Sequence, residues 1–441
     1  MYLKLKKGLD LPIEGALSAA SPVKSISPVC CAIVPDDFPG FTPKLTVREG
    51  DHVEIGAAIM HDKAHPGVCI CSPVAGKVKA IVRGERRKIL RVEIENNNSY
   101  NSLTFDIKRP IVELLGAAGL FAMLRRRPYD VVPDPDVRPR DIFVTAMDTA
   151  PLALSPVQML PEGADKALAA AVNALATATD GKIYVSRRAG ELADIPGAEM
   201  VDVEGKHPAG CVGVQVANIA PVNKGENIWT LDIVTLYRIG HLLLTGKVDS
   251  SVTVAVTGPE VTTPCIVKTA IGADIKALTA GVLANSDHNV RIISGNVLTG
   301  TAVNEAEGFL RFPYRQVTVI AEGNDVDEFM GWASVAPSKM SIYPALPLHW
   351  LRRLFRPDAR LNGGRRAMIM SGEYDRVLPM DIMAEYLLKA IISRNIDEME
   401  ALGIYEIAPE DLALCEYVDT SKLPIQQIVR DGLDYLRKEL E

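Results

Sequence analysis

Polar side chains of the types that hold a ligand fall in two short runs, Thr145-Ala146-Met147-Asp148-Thr149 and His207-Pro208-Ala209-Gly210. Each run comes shortly after an apolar stretch that reads as a buried strand, Ile142 to Thr145 and Met200 to Val203. In open parallel sheets, ligands bind outside the carboxyl ends of the strands. Thr145, Met147, Asp148, Thr149, His207, Pro208 and Gly210 are therefore the candidate contacts for a ligand or partner. A plainer use competes with this one: Asp148 and Thr149 cap the next helix, and His207 is a satisfied loop side chain.

Metal chemistry has one local candidate. His61, His65, Cys69 and Cys71 lie within eleven residues and are of types that suit zinc. Cys69 and Cys71 also alternate with Val68 and Ile70, which is how two small buried hydrophobes on one face of a strand look. The expectation is that no metal is bound. Cys30-Cys31, beside Pro28 and Pro35, read as structural. Arg125-Arg126-Arg127 follow the helix-spaced Ile111, Leu114, Leu115, Ala118 and Phe121, where positive charge suits a helix C-terminus. They fit either a solvated helix end or a surface for acidic partner loops or lipid headgroups.

Asp62-Lys63-Ala64 sits in a hairpin after Glu49-Gly50-Asp51, and lipoyl carrier domains present a modified lysine in such a tripeptide. Lys63 comes only fourteen residues after Glu49, and His65-Pro66-Gly67 stands where the return strand should begin. A barrel-sandwich domain without a cofactor competes with a carrier module. No Gly-x-Gly-x-x-Gly follows a strand and no Gly-x-x-x-x-Gly-Lys-Ser/Thr occurs, so the backbone cradle for a pyrophosphate has no sequence support. Cys265 and Cys415 are isolated, which does not make an iron–sulfur ligand set, and no Gly-x-Ser-x-Gly elbow is present.

The elements that must position these residues are legible in outline. The first hundred residues, with prolines at 12, 22, 28, 35, 39 and 43, read as short strands and turns. Strand and helix patterns then alternate: Ile142 to Thr145, an Ala-rich helix from Ala164 to Ala178, then Ile183 to Ser186 and Met200 to Val203. That order predicts βαβ units around a Rossmann-like parallel sheet. Short strands return at Val252–Val256 and Val290–Ile293, with Ile275 to Leu283 helix-like between them. After Ala321 the pattern is helical, with apolar stripes at Ile382, Tyr386, Leu387, Ala390 and Ile391 and again from Ile425 to Leu440. The expected organisation is a barrel-sandwich hybrid over 1–103, a Rossmann-like α/β domain over 104–250, a small α+β domain over 251–325 and a helical domain over 326–441.

A chain of 441 residues, 48% hydrophobic and 23% charged, is long enough for several cores and is not disordered. Its net charge of −7 gives no basic field for a phosphate backbone, so nucleic acid is excluded as the expected partner. No run reaches the roughly 18 apolar residues of a membrane span. The opening Met1-Tyr2-Leu3-Lys4 and the seven cysteines without framework spacing suit a reducing, cytosolic setting.

In order along the chain, further runs resemble one family. They are Leu5-Lys6-Lys7-Gly8-Leu9-Asp10-Leu11-Pro12-Ile13, Arg83-Gly84-Glu85-Arg86-Arg87, Ile142 to Thr149, His207 to Gly210, Thr257-Gly258-Pro259, Ser294 to Gly300, Arg366-Ala367-Met368, Gly372-Glu373-Tyr374, Pro379-Met380-Asp381-Ile382 and Glu410 to Cys415. The family is NqrA, a component of the sodium-translocating NADH:quinone oxidoreductase of bacterial respiratory membranes, and the similarity covers nearly the whole chain. It implies a β-grasp, SLBB-like third domain and a peripheral subunit on the cytoplasmic face of the inner membrane, within a six-subunit complex. It also implies that this chain binds no cofactor tightly, while FMN, FAD, riboflavin and a 2Fe-2S centre sit in partners, among them a membrane flavoprotein subunit. Quinone becomes the expected ligand at the strand-end loops. Two positions depart from the pattern: Gly213-Val214-Gln215-Val216-Ala217-Asn218 stands where the family has a histidine-containing strand, and Asp419 stands where it often has a second cysteine after Cys415. A self-contained flavin or NAD oxidoreductase is the remaining alternative, against which the missing glycine loops count.

Overall fold

The structure, a computed structural model, describes residues 1–284, 289–306, 308–324, 340–341 and 353–441. Most of the first stretch read as helical, 326–352, lies outside these residues.

At the centre is a six-stranded sheet ordered Tyr2–Lys4, Glu199–Glu204, Ile183–Arg187, Ile142–Thr145, Ile228–Asp232 and Arg125–Arg127. All neighbours are parallel except the last pair. Ile142–Thr145 is buried on both faces by its apolar side chains, the pattern expected of a central parallel strand. From it the chain first steps outward to Ile183–Arg187 and Glu199–Glu204, then returns to the other side as Ile228–Asp232. The order therefore reverses beside Ile142–Thr145. One face carries the helices Asp165–Leu175 and Ile233–Thr245, which cross so closely that a Cβ at Gly240 would stand 1.8 Å from the Ala167 carbonyl. Asp232 caps the second helix by accepting from Thr235 N at 2.8 Å, and Gly246 ends it at φ +71°. Val212–Ile219 covers the opposite face through Val216 against Phe143 and Ile228.

The strand Arg125–Arg127 corrects the reading of these arginines as a helix end. The helix stops at Ala117, and Arg127 is 1% exposed, its Nη1 2.8 Å from Asp411 Oδ2. Arg126 meets Glu441 at 2.7 Å, and Arg125 donates to the carbonyls of Ala122, Leu124 and Asp37. All three are engaged inside the molecule and offer no free docking surface.

Two small antiparallel sheets form the barrel-sandwich: Cys30–Ile33, Ile89–Asn96, Gly76–Arg83 and His52–Val53 in one, Pro43–Leu45, Ala58–Asp62 and Cys69–Cys71 in the other. Their inward residues, including Ile59, Met60, Ile70, Val78 and Val92, share one continuous core with Leu114, Phe121 and Trp229 of the α/β part. A fourth sheet, ordered Thr301–Val303, Val290–Ser294, Gln316–Ala321, Ser251–Thr257, Cys265–Ala270 and Val23–Ser25, packs the short helix Ile275–Thr279. The first residues thus thread through two sheets before entering the barrel. Helices Ala384–Ser393, Ile396–Ala401, Ala413–Val418 and Ile425–Leu440 make the C-terminal part, the last burying Ile425, Val429, Gly432, Leu433 and Leu436.

Candidate functional site

The reversal of strand order places a crevice outside the carboxyl ends of Ile142–Thr145 and Ile228–Asp232. A cavity of about 480 Å³ occupies it, and all four parts of the fold contribute walls. The loop leaving the first strand has no glycine before Gly163, and Pro151, Pro156 and Pro161 remove three amides. The next α-helix begins only at Asp165. A cradle of successive N–H groups opening a helix is thus absent here, and side chains set the chemistry of the crevice.

Thr145 Oγ1 receives the amide of buried Gln215 at 3.1 Å, and Gln215 also donates to the Ala209 carbonyl at 3.0 Å. Thr149 Oγ1 accepts from Gly210 N at 2.8 Å and lies 3.2 Å from His207 Nδ1. The two runs singled out in the sequence are therefore knitted to each other. Asp148 and Thr149 cap no helix; the Asp148 carboxylate takes the Ala150 amide at 2.8 Å instead. Gly210 is required for this approach, since a Cβ there would stand 2.6 Å from Thr149 N. Pro208, buried beside it, accepts from Cys211 N at 2.9 Å. Met147 is 3% exposed and faces the cavity.

Enclosure fixes protonation. His207 is 4% exposed, and burial pushes its pKa down to about 4 against the pull of Asp10, so the ring is neutral at pH 7. Its Nε2 has no hydrogen-bond partner in the protein, nor has Gln215 Oε1. Asp148 is reached from the cleft but walled by protein, which raises its carboxyl pKa; the Ala150 amide and Arg315 oppose the rise. Glu410 opens onto the same cavity and is likewise raised by burial and by neighbouring Asp411, with Arg127 opposing. At Asp232 burial is outweighed by Arg315, 2.7 Å away, and by the Thr235 amide, so this carboxylate is held below its ordinary range. The Cys211 thiol, pushed up by burial and nearby carboxylates, is no thiolate.

The far wall is not legible in the sequence. Tyr314 donates to the Thr299 carbonyl, and Phe312 stacks on Phe38 at 5.1 Å with Arg125 5.8 Å from its centroid. Arg315, Glu410 and Gln426 complete it. The apolar run Ile228-Trp229-Thr230-Leu231 before Asp232 is the signal that would have located the second strand end; the rest comes from distant segments with no motif. Lys63 is exposed in the barrel hairpin, its amide donating to the Thr42 carbonyl at 2.8 Å. His61, His65, Cys69 and Cys71 do not assemble: among the described residues no three of their ligand atoms gather, and Cys71 Sγ turns to the Ala117 carbonyl at 3.4 Å. Gln215, in the stretch that departs from the family pattern, is on a helix, and Asp419, at the second departure, is 2% exposed and accepts from the Tyr374 hydroxyl at 2.9 Å.

Fold and cleft together define a multidomain α/β protein that keeps the ligand crevice of a doubly wound sheet without its dinucleotide loop. Three family profiles match in chain order: the NqrA N-terminal barrel-sandwich hybrid domain over 3–97, the NqrA second alpha/beta domain over 107–248 and the NQRA C-terminal domain, an SLBB domain, over 253–305. The chain is 37% identical to the NqrA component of the Na(+)-translocating NADH-quinone reductase of Yersinia pseudotuberculosis serotype O:1b (strain IP 31758) over 454 residues, covering 99% of this chain and 100% of that protein. It is 37% identical to the protein of that name from Serratia proteamaculans (strain 568) and 36% identical to that from Neisseria meningitidis serogroup C, each with 99% of this chain and 100% of the relative covered. The chain belongs to the NqrA family of Na(+)-translocating NADH-quinone reductase subunits. Among solved structures, a NAD+-reducing [NiFe]-hydrogenase in the H2-reduced state aligns at 12% identity and a TM-score of 0.39, covering 75% of this chain and 62% of that one.

Proposed function

We propose that this chain works as a peripheral subunit of a membrane complex that couples NADH oxidation and quinone reduction to sodium export. It helps dock the complex together and lends its crevice to the quinone site, without a redox centre of its own. Family membership supports the assignment to the complex, and no helix among the described residues is long and apolar enough to cross a membrane. The observation that carries the quinone reading is the crevice itself. It offers apolar surface from Met123, Met147, Met159 and Phe312, and next to it the neutral His207 with an unpartnered Nε2. A quinone needs that combination: an apolar slot for its ring and a polar group for its carbonyls.

The lack of a glycine cradle at the first strand end supports placing the flavins and the 2Fe-2S centre in partner subunits, foremost a membrane flavoprotein. The chain would then sit on the cytoplasmic side. The test is optical and chemical. The isolated chain is expected to be colourless in the visible range and inert toward NADH, and a photoreactive short-chain quinone should label peptides containing Met147 to Thr149 or Phe312 to Arg315. A yellow protein carrying flavin would overturn the non-redox reading, and labelling confined to other peptides would overturn the cleft.

A further inference from the structure

The barrel hairpin does not use its own cysteines. Its loop instead turns His65 toward the loop at 133–137 of the α/β part, where one ligand atom each from His65, Asp134 and Asp136 lies within 4.8 Å of the other two. Asp134 Oδ1 accepts from Asp136 N at 2.9 Å, and His65 Nε2 stands 3.5 Å from the same oxygen, within ion-pair reach. That is long for a direct hydrogen bond. Two ligands at zinc bond lengths in a tetrahedral arrangement stand about 3.3 Å apart, so the separation suits a shared ion.

Two independent features support the same reading. The other ring nitrogen, Nδ1, lies 3.3 Å from Asp62 Oδ2. Asp62 is 7% exposed and is itself fixed by the Thr42 amide, which donates to Oδ1 at 2.8 Å. A buried carboxylate behind one nitrogen, sending the other outward, is how metal-binding histidines are oriented. His65 and Asp134 also border a cavity of about 660 Å³ between the hairpin and the C-terminal helix, which leaves room for water on the remaining coordination positions. Of the cations lining this cavity, Arg126 is engaged by Glu441 at 2.7 Å, and Arg437 and Lys438 lie on the helix side.

We propose that His65, Asp134 and Asp136 form a binding site for a divalent transition metal of the zinc class, which ties the barrel hairpin to the α/β domain. Asp62 acts as the positioning residue for His65. The imidazole ligand favours zinc over magnesium, which prefers all-oxygen, largely hydrated sites. An ion bound only by the folded chain stabilises it by mass action.

The full chain, stripped with chelator, would be titrated with zinc and, separately, with magnesium by calorimetry and thermal melting. One equivalent of zinc should bind and raise the melting temperature, with no such response to magnesium. His65→Ala and the exposed-site change Asp136→Asn should each weaken zinc binding at least tenfold, while a Cys69→Ser/His61→Ala double variant should bind as the parent does. No zinc binding at millimolar concentration, unchanged binding in His65→Ala, or loss in the double variant alone would overturn the proposal.

Discussion

The sheet crevice and the barrel hairpin are the two places where folds of these kinds carry ligands, and they treat their polar groups differently. In the hairpin, Asp62 accepts from the amides of Thr42 and His65, and Lys63 N returns a bond to the Thr42 carbonyl, leaving the Lys63 side chain outside. In the crevice the bonds run between segments some sixty residues apart, Thr149 to Gly210 and His207, and leave His207 Nε2 and Gln215 Oε1 buried without protein partners. A buried polar atom left unpaired costs about 1–3 kcal/mol. A doubly wound scaffold without the standard ligand loop can thus still hold a shaped, polar cavity. The cavity is recognised by walls brought together from all four parts of the fold, with no motif to mark it.

Removing a long-range tie beneath the crevice should have the largest effect. Arg127→Ala strands the Asp411 carboxylate, which is fully buried, so the expected loss is about 3–5 kcal/mol of stability in urea unfolding. A result near zero would mean the C-terminal region is not held by this pair.

Acid comes next. His207 has its pKa lowered to about 4 by burial, against about 6.5 when unfolded. Between those values the unfolded chain takes up a proton that the folded chain refuses. The full stability is therefore present above pH 6.5 and is lost as pH falls toward 4, by about 3 kcal/mol in all. His207→Gln should flatten that part of the pH profile of unfolding.

Smaller still is Gly210→Ala, where the added Cβ meets the Thr149 amide and forces the two loops apart at about 1–3 kcal/mol. Quinone photolabelling of the Met147 peptide should fall in parallel. The smallest change is Lys63→Ala in the hairpin, within about 0.5 kcal/mol of the parent. The intact mass of the chain from its native source should show no adduct at this lysine.

What the sequence could reveal follows the same division. Ile142–Thr145 and Ile425–Leu440 are legible to the residue because local pattern marks them, a short continuous apolar run in the first and a helical apolar stripe in the second. The three arginines at 125–127 are not, because identical residues carry no alternation and the partner of Arg127 lies 284 positions away. Helix capping by Asp148 and Thr149 is a sound local expectation that a local turn bond from the Ala150 amide to Asp148 and a long-range bond from the Gly210 amide to Thr149 displace. The near wall of the crevice can therefore be named from the sequence, whereas Tyr314, Arg315 and Glu410, brought in by the fourth sheet and the C-terminal region, cannot.

The most direct test of the central claim is purification of the tagged chain from its native membranes in gentle detergent, with co-purifying subunits identified by mass and NADH:quinone activity assayed with and without sodium. Recovery with membrane flavoprotein subunits and sodium-stimulated activity is expected, with all flavin residing in the partners. Recovery of the chain alone, or with flavin bound to it, would contradict the account.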